Sequence, residues 1–139
     1  MIEAIKCLIF ISILFYASYC DIKTREVPDY IHIMIFISAF IGVTKENIPS
    51  MIIGLFIVPL PLLISLVFRE DSIGGADIKL MAACAFFLGL ERGLVAIIVG
   101  LLLAVICTVI IKKIQKKSIK ESFPLIPYLA VGSFLLYCI

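Results

Sequence analysis

Two aspartates stand at the edges of apolar segments in this chain, and both could carry acid–base chemistry. Asp21 directly follows a long apolar run, and Asp77 precedes another, behind two glycines and an alanine. An ionisable group in or near the hydrocarbon of a membrane is costly, so it is a candidate for a functional site. Two neighbouring carboxyls can share one proton, so one can act as a base while the other acts as an acid. Such a pair can activate water for peptide hydrolysis.

The composition indicates an integral membrane protein. Hydrophobic residues make up 63% of the 139 residues, and the mean hydropathy is +1.23. Soluble globular proteins contain roughly 45–50% apolar residues. The length predicts one domain over residues 1–139. No basic stretch is interleaved with aromatic residues, so nucleic-acid binding is not expected. Membrane lipid is the expected surrounding.

Neither a metal nor another cofactor is expected. The five cysteines form no C-x-x-C pair, and most of them lie inside apolar runs. This pattern disfavours zinc sites and disulfides. His32 is the only histidine and lies in an apolar segment, where it is expected to be a packed or interfacial residue. No Ser-His or Cys-His arrangement for nucleophilic catalysis stands out.

The apolar runs predict an all-α membrane protein, a bundle of about six transmembrane helices. A spanning helix needs about 20 mostly apolar residues. The predicted helices cover residues 2–20, 29–44, 49–68, 75–90, 93–112 and 123–139. The fourth segment is short, and a re-entrant or interfacial helix is its alternative interpretation. Pro59 and Pro61 predict a kink in the third.

The distribution of basic residues predicts the orientation. With six spans, nine basic residues lie on one side, and three, namely Lys6, Lys45 and Arg92, lie on the other. Loops rich in Lys and Arg stay in the cytoplasm. Both termini are then expected outside, with Asp21 and Asp77 both facing the cytoplasm of a cell (inner or plasma) membrane.

Each aspartate also has a purely structural interpretation. The role of Asp77 could be limited to capping the N-terminus of a helix that starts after Gly74–Ala76. Asp21 could be an anchor at the membrane edge, with Lys23 reaching the headgroups. Pro28 fits the first turn of the next helix. The shared cytoplasmic face of the two acids favours the functional interpretation.

Three segments resemble the motifs of a known family, the type IV prepilin peptidases, which are membrane aspartyl proteases of the GxGD class. Asp21–Pro28 resembles the first aspartate motif, D-x-x-x-x-x-I/V-P, and Gly74–Leu80 resembles the second. Pro124–Ala130 resembles the P-x-x-P-h-h-A element of the last helix. The motif residues beside the aspartates are Lys23, Pro28, Gly74, Gly75, Ala76, Lys79, Pro124 and Pro127.

The resemblance implies an aspartic endopeptidase with Asp21 and Asp77 as its catalytic pair. Substrates of the family are pilin-like precursors with a short basic leader, cut after a glycine on the cytoplasmic side. Ala76 stands where the motif has its second glycine. Longer members carry an N-terminal extension with paired cysteines and methylate the cleaved pilin. The chain resembles the short form, and methyltransferase activity is not expected.

Four further acids are predicted to guide the basic leader of the substrate by local charge: Glu26, Asp29, Glu70 and Asp71. They lie in the two connectors that carry the aspartates. The alternatives to a peptidase are a transporter or channel subunit and a structural subunit of a secretion complex. Acids near the mid-membrane would favour transport, whereas dispensable aspartates would favour a structural role. The oligomeric state and the identity of the pilin stay open.

Overall fold

The computed structural model describes residues 1–24, 27–68, 75–115 and 125–138, and these residues form helices and short turns. No strand occurs in these ranges, so the predicted all-α class is confirmed. In chain order the helices are α1 (Ile2–Thr24), α2 (Asp29–Ser38), α3 (Ile48–Ile57), α4 (Leu60–Phe68), α5 (Gly75–Leu88), α6 (Leu90–Gln115) and α7 (Ile126–Cys138).

Helices α3 and α4 are the two halves of the predicted third span. The helix is interrupted at Val58 and Pro59, where the sequence predicts a kink. Pro59 and Pro61 have no backbone N–H, so the carbonyls one turn earlier lose their helical donors. The Leu63 amide restores the pattern by donating to the Pro59 carbonyl at 3.0 Å.

The protein is a multi-pass membrane protein. Within the described ranges, three helical stretches are long and apolar enough to cross a bilayer: Ile2–Thr24, Ile48–Phe68 and Leu90–Ile114. Helices α2, α5 and α7 have 10, 14 and 13 residues and are shorter than a full span. Six predicted segments are therefore helical when α3 and α4 count as one, but only three reach spanning length.

Several predicted boundaries were wrong. Helix α1 continues through Thr24, whose hydroxyl donates to the Cys20 carbonyl at 2.9 Å, so Asp21 lies inside the helix and not in the connector. Helix α2 ends at Ser38 and not at 44, because the chain tightens into turns before Gly42, whose φ is 69°. Gly42 adopts the left-handed conformation that commonly follows a helix end.

The predicted fourth and fifth helices, 75–90 and 93–112, also have different ends. Gly89, with a φ of 91°, ends α5 and lets α6 begin at Leu90. The Leu90 amide donates to the Ser50 hydroxyl at 3.0 Å, which satisfies a donor at the start of α6. Helix α6 runs on to Gln115.

Helix α5 lies in the middle of the bundle and contacts α2, α3, α6 and α7. Helix α1 packs beside α7 and α2. Phe10 of α1 stacks on Phe87 of α5 with ring centroids 4.0 Å apart, and Tyr137 of α7 lies 5.4 Å from the Phe87 ring. Since Phe10 is near the start of α1 while Phe87 and Tyr137 are near the ends of their helices, α1 runs antiparallel to α5 and α7.

Glycine allows α6 and α7 to approach backbone to backbone. A Cβ on Gly132 would lie 2.6 Å from the Ala96 carbonyl oxygen, and one on Gly100 would lie 3.0 Å from the Leu129 Cα. Small residues permit this close packing between helices in a membrane. The contact fixes where α7 starts relative to the rest of the bundle.

Candidate active site

Asp21 is held in the last turn of α1, buried inside the protein. Its relative exposure is 7%. One carboxyl oxygen, Oδ2, accepts a hydrogen bond from the backbone N–H of Ile126 at 3.2 Å. Ile126 is the first residue of α7 and lies 105 positions further along the chain. The hydrogen bond ties the end of one helix to the start of another.

The sequence around Ile126 explains why its amide is available. The first amides of a helix have no partner within that helix. Pro127, the next residue, has no N–H at all, so Ile126 is the donor that the start of α7 presents. A helix N-terminus also favours a nearby negative charge. Pro127 of the third motif therefore lies beside the Asp21 site.

Asp77 is the third residue of α5 and is also buried, with 8% exposure. The predicted fourth helix also starts at residue 75, so the sequence likewise places Asp77 in the first helical turn. The N-terminal end of α5 favours a carboxylate here, in the same way that the start of α7 favours one at Asp21. Both candidate catalytic residues thus combine burial with a helix N-terminus.

The Phe10–Phe87 stack between α1 and α5 indicates that the two aspartates lie at a similar depth. Asp21 follows Phe10 by eleven positions and Asp77 precedes Phe87 by ten. At 1.5 Å per residue these separations are roughly 16 Å and 15 Å along antiparallel helices. Because Phe10 and Phe87 stack on each other, we infer that both acids lie at one end of the bundle, which is called the aspartate end below.

An ion pair at the surface links the residue that follows the first aspartate motif to the second motif. Lys79 Nζ donates to Asp29 Oδ1 at 2.9 Å, with the side chains 58% and 73% exposed. The pair joins the first turn of α2 to the first turns of α5. Asp29, predicted to guide the substrate, is therefore already paired with a cation of the second motif.

Two other motif residues have structural neighbours. Lys23 Nζ donates to the Tyr19 hydroxyl at 3.3 Å and lies 5.5 Å from the centre of that ring, as expected for an anchor at the membrane edge. Pro28 occupies the N-cap of α2, one residue earlier than the predicted first turn. Its backbone is extended, with a ψ of 143°, so the helical conformation of α2 begins only after it.

Several predicted residues lie outside the described ranges: Glu26, Glu70, Asp71, Gly74 and Pro124. Ala76 belongs to α5, but its side chain is likewise outside the description. Gly75 is the first residue of α5, and a Cβ built on it would meet nothing within 4 Å. The space next to Gly75 is therefore open.

His32 is buried, as the sequence predicts for a packed residue, with 7% exposure. Neither ring nitrogen has a hydrogen-bond partner among the described residues. His32 lines a cavity of about 320 Å³ beside Ala82 and Ala83 of α5. These alanines lie roughly 140° and 240° around the helix from Asp77, so the cavity faces away from the aspartate. Within the described ranges, no group of three His, Cys, Asp or Glu side chains could hold a metal ion.

The Ile126 amide is the functional contact that the sequence did not reveal. A backbone donor has no residue type of its own, and the only signal for it was the P-x-x-P element around it. The tertiary structure shows why that element lies close to Asp21.

Comparison with known proteins identifies the family of the chain. The family model of the type IV leader peptidases matches residues 8–110, which is most of the chain and includes both Asp21 and Asp77. No curated protein and no solved structure matches the chain. The match covers four helices completely, α2 to α5, and most of α1 and α6, whereas α7 lies outside it. On the extent of this match, the chain belongs to the type IV leader peptidase family.

Proposed function

We propose that this protein is a membrane-embedded aspartic endopeptidase that removes the basic leader from type IV prepilin-like precursors. Asp21 and Asp77 are the catalytic pair of a single domain over residues 1–139. The observation that carries the proposal is the burial of two aspartates, 7% and 8% exposed, at one end of an apolar helical bundle. Two carboxyls that share one proton can hydrolyse a peptide without a cofactor.

The proposed reaction uses the two carboxyls as base and acid. The ionised carboxyl takes a proton from water, and the resulting hydroxide adds to the scissile carbonyl carbon. The protonated carboxyl donates its proton to the carbonyl oxygen, which gives a tetrahedral intermediate. When the C–N bond breaks, the proton taken from water passes to the leaving amine. One hydroxyl proton of the intermediate returns to the carboxylate that had protonated the carbonyl oxygen, which restores the shared proton. The Ile126 amide donates to Asp21 Oδ2 and so helps to orient this carboxyl for the reaction.

The proposed substrate contributes an apolar helix and a basic leader. The apolar helix stays in the bilayer, while the leader approaches from the cytoplasm. Asp29 and the acids Glu26, Glu70 and Asp71 attract the leader locally. Because Asp29 already pairs with Lys79, the larger share of the attraction falls on the other three.

The proposed orientation places the aspartates at the cytoplasmic face of the cell membrane and both termini outside. A reporter fused after Ile139 tests this, because three of the helices are shorter than a full span. An enzyme reporter that works only outside the cytoplasm should be active at this position. Activity of a cytoplasmic reporter at this position would place the C-terminus in the cytoplasm. The support for a cytoplasmic active site would then be lost.

The direct test is co-expression with prepilin-like precursors, with leader loss read by mass. The wild-type chain should shorten the precursor by its leader. Asp21→Asn and Asp77→Asn should each abolish the shortening while the protein stays in the membrane. Glu46→Gln is the matched control, because Glu46 is an exposed acid between α2 and α3. Full cleavage by either Asn variant would favour a structural or transport subunit.

A further inference from the structure

A second polar site lies at the end of the bundle opposite the aspartates. A cavity of about 400 Å³ is lined there by the start of α1, the turn before α3, the end of α5, the start of α6 and the end of α7. Its charged lining residues are Glu3, Lys6, Glu91 and Arg92. None of these residues belongs to the aspartate motifs. We call this the outer-end cavity.

Lys6 is a partly buried cation of the cavity, and the nearby Glu3 carboxylate acts on its charge without a direct salt bridge. Its side chain is partly buried, and Nζ lies 4.8 Å from the centre of the Phe87 ring. It forms no salt bridge with any residue in the described ranges. A cation over an aromatic face recovers only part of the cost of leaving water. Together with Arg92, Lys6 gives the cavity two cations that an anionic group would match.

The cavity also presents two carboxylates. Glu3 Oε2 accepts a hydrogen bond from the Tyr137 hydroxyl at 3.3 Å, which holds Glu3 at the cavity wall. Glu91 is exposed in the first turn of α6. A simple anion would meet these two acids, and a simple cation would meet Lys6 and Arg92. A ligand that carries both charges fits the lining better than either ion.

One hydroxyl adds a neutral donor. Ser50 Oγ accepts the Leu90 N–H at 3.0 Å, which leaves the hydroxyl hydrogen of Ser50 to donate to an anionic oxygen. The wall beside it is close-packed, since a Cβ on Gly89 would lie 3.0 Å from the same Oγ. Ser50 is thereby held in position at the cavity.

The level of the cavity in the membrane identifies the source of such a ligand. All three stretches of spanning length, Ile2–Thr24, Ile48–Phe68 and Leu90–Ile114, begin at this end. The cavity therefore lies where the hydrocarbon gives way to the headgroups. Ile2 lies next to the cavity, because its Cγ2 is 3.4 Å from a Cβ built on the lining residue Gly42. Ile2 is exposed and can cover part of an acyl chain.

We propose that the outer-end cavity binds the headgroup of a membrane phospholipid that carries a phosphate and a primary ammonium, as in phosphatidylethanolamine. Lys6, Arg92 and the Ser50 hydroxyl face the phosphate. Glu3 and Glu91 face the ammonium. The site is independent of the proposed peptidase reaction.

Native mass spectrometry of the full chain, titrated with defined lipids, tests the proposal. Phosphatidylethanolamine should bind at least about tenfold more tightly than phosphatidylglycerol, which lacks the ammonium. Arg92→Gln and Lys6→Gln should each weaken phosphatidylethanolamine binding by about tenfold, the loss expected for one charge-assisted hydrogen bond. Arg92 is exposed, so its replacement tests the site even if Lys6→Gln disturbs folding.

Lys45→Gln is the matched control, because Lys45 is an exposed lysine of the same end that does not line the cavity. Its affinity should equal that of the wild type. Soluble O-phosphoethanolamine is the second arm, and its displacement of the lipid supports recognition of the headgroup. If the soluble compound binds but the lipid does not, the ligand is not a membrane lipid, and the proposal is overturned. Equal affinity for the two lipids, or unchanged affinity in both cavity variants, would overturn the site.

Discussion

The two ends of the helical bundle differ in how far their charged side chains are exposed to solvent. At the aspartate end, Asp21 and Asp77 are withdrawn into the protein, with 7% and 8% exposure. At the outer end, Glu91 and Arg92 stay exposed and Lys6 is only partly covered. Burial makes the protonation of a carboxyl depend on the protein around it, whereas an exposed charge is screened by water. The buried end is therefore suited to acid–base chemistry and the open end to binding charged groups.

The two ends also differ in what holds them together. At the aspartate end, the Asp21 carboxylate meets the Ile126 amide, so a charge is satisfied by a helix N-terminus. At the outer end, side-chain hydroxyls join the helices: Ser50 accepts from the Leu90 amide, and Tyr137 donates to Glu3. A substitution that weakens the aspartate end should therefore lower the rate of catalysis more than one that weakens the outer end.

The largest expected effect comes from changing the buried acids. Asp21→Asn and Asp77→Asn each remove a proton donor or acceptor, and the rate of leader cleavage should fall by about 10²–10⁴-fold. Asp21→Glu and Asp77→Glu keep the acid but move the carboxyl by one methylene, which should lower kcat by about 100-fold. Cleavage rates in detergent or vesicles measure both, with Glu46→Gln as the unchanged control. A Glu variant with the wild-type kcat would show that the carboxyl positions are not critical.

The next effect tests the link between helix packing and the Asp21 site. Gly132→Ala places a Cβ 2.6 Å from the Ala96 carbonyl, so α7 must move away from α6. Overpacking of this kind costs about 1–3 kcal/mol. The melting temperature should fall, and kcat should fall with it because the Ile126 amide shifts.

Gly75→Ala is the stability control for Gly132→Ala, because its Cβ would meet nothing within 4 Å. Its melting temperature should match that of the wild type. Equal melting temperatures for both variants would mean that the α6–α7 contact tolerates a methyl group, and the link to Asp21 would be lost.

A smaller effect is expected from the acids near the aspartates. Replacing Glu26, Asp29, Glu70 and Asp71 together with Gln or Asn should raise the KM for the precursor and change kcat less. Each exposed pair contributes about 0.2–1 kcal/mol, so single replacements should raise the KM only modestly. The effect should weaken with salt. Precursors with and without leader lysines give the control, and identical responses of the two would remove the guiding role.

The smallest effect should come from the exposed Lys79–Asp29 pair. A double-mutant cycle with Lys79→Gln and Asp29→Asn should give a coupling free energy of at most about 1 kcal/mol, because water screens both groups. Denaturation in detergent at low and high salt measures it. A larger coupling that persists at high salt would show that this pair fixes the relative positions of α2 and α5.

The sequence by itself determined the helical class and the two aspartates, because both depend on local properties. Long apolar runs predict helices in a membrane. An acid at the edge of such a run can be recognised without knowing how the helices pack. The motifs around Asp21 and Asp77 predicted the family to which the chain belongs. The kink at Pro59 also followed from the chemistry of one residue type.

Only the tertiary structure decided how these parts meet. The Ile126 amide could not be predicted as a partner of Asp21, because every residue except proline has a backbone N–H. The end of α2 at Ser38 and the extension of α1 through Thr24 depend on turns and hydrogen bonds that composition does not encode. The similar depth of the aspartates was inferred from the stack of Phe10 on Phe87, and two rings 77 positions apart carry no local sign that they touch. The outer-end cavity is likewise built from five separate segments, which only folding brings together.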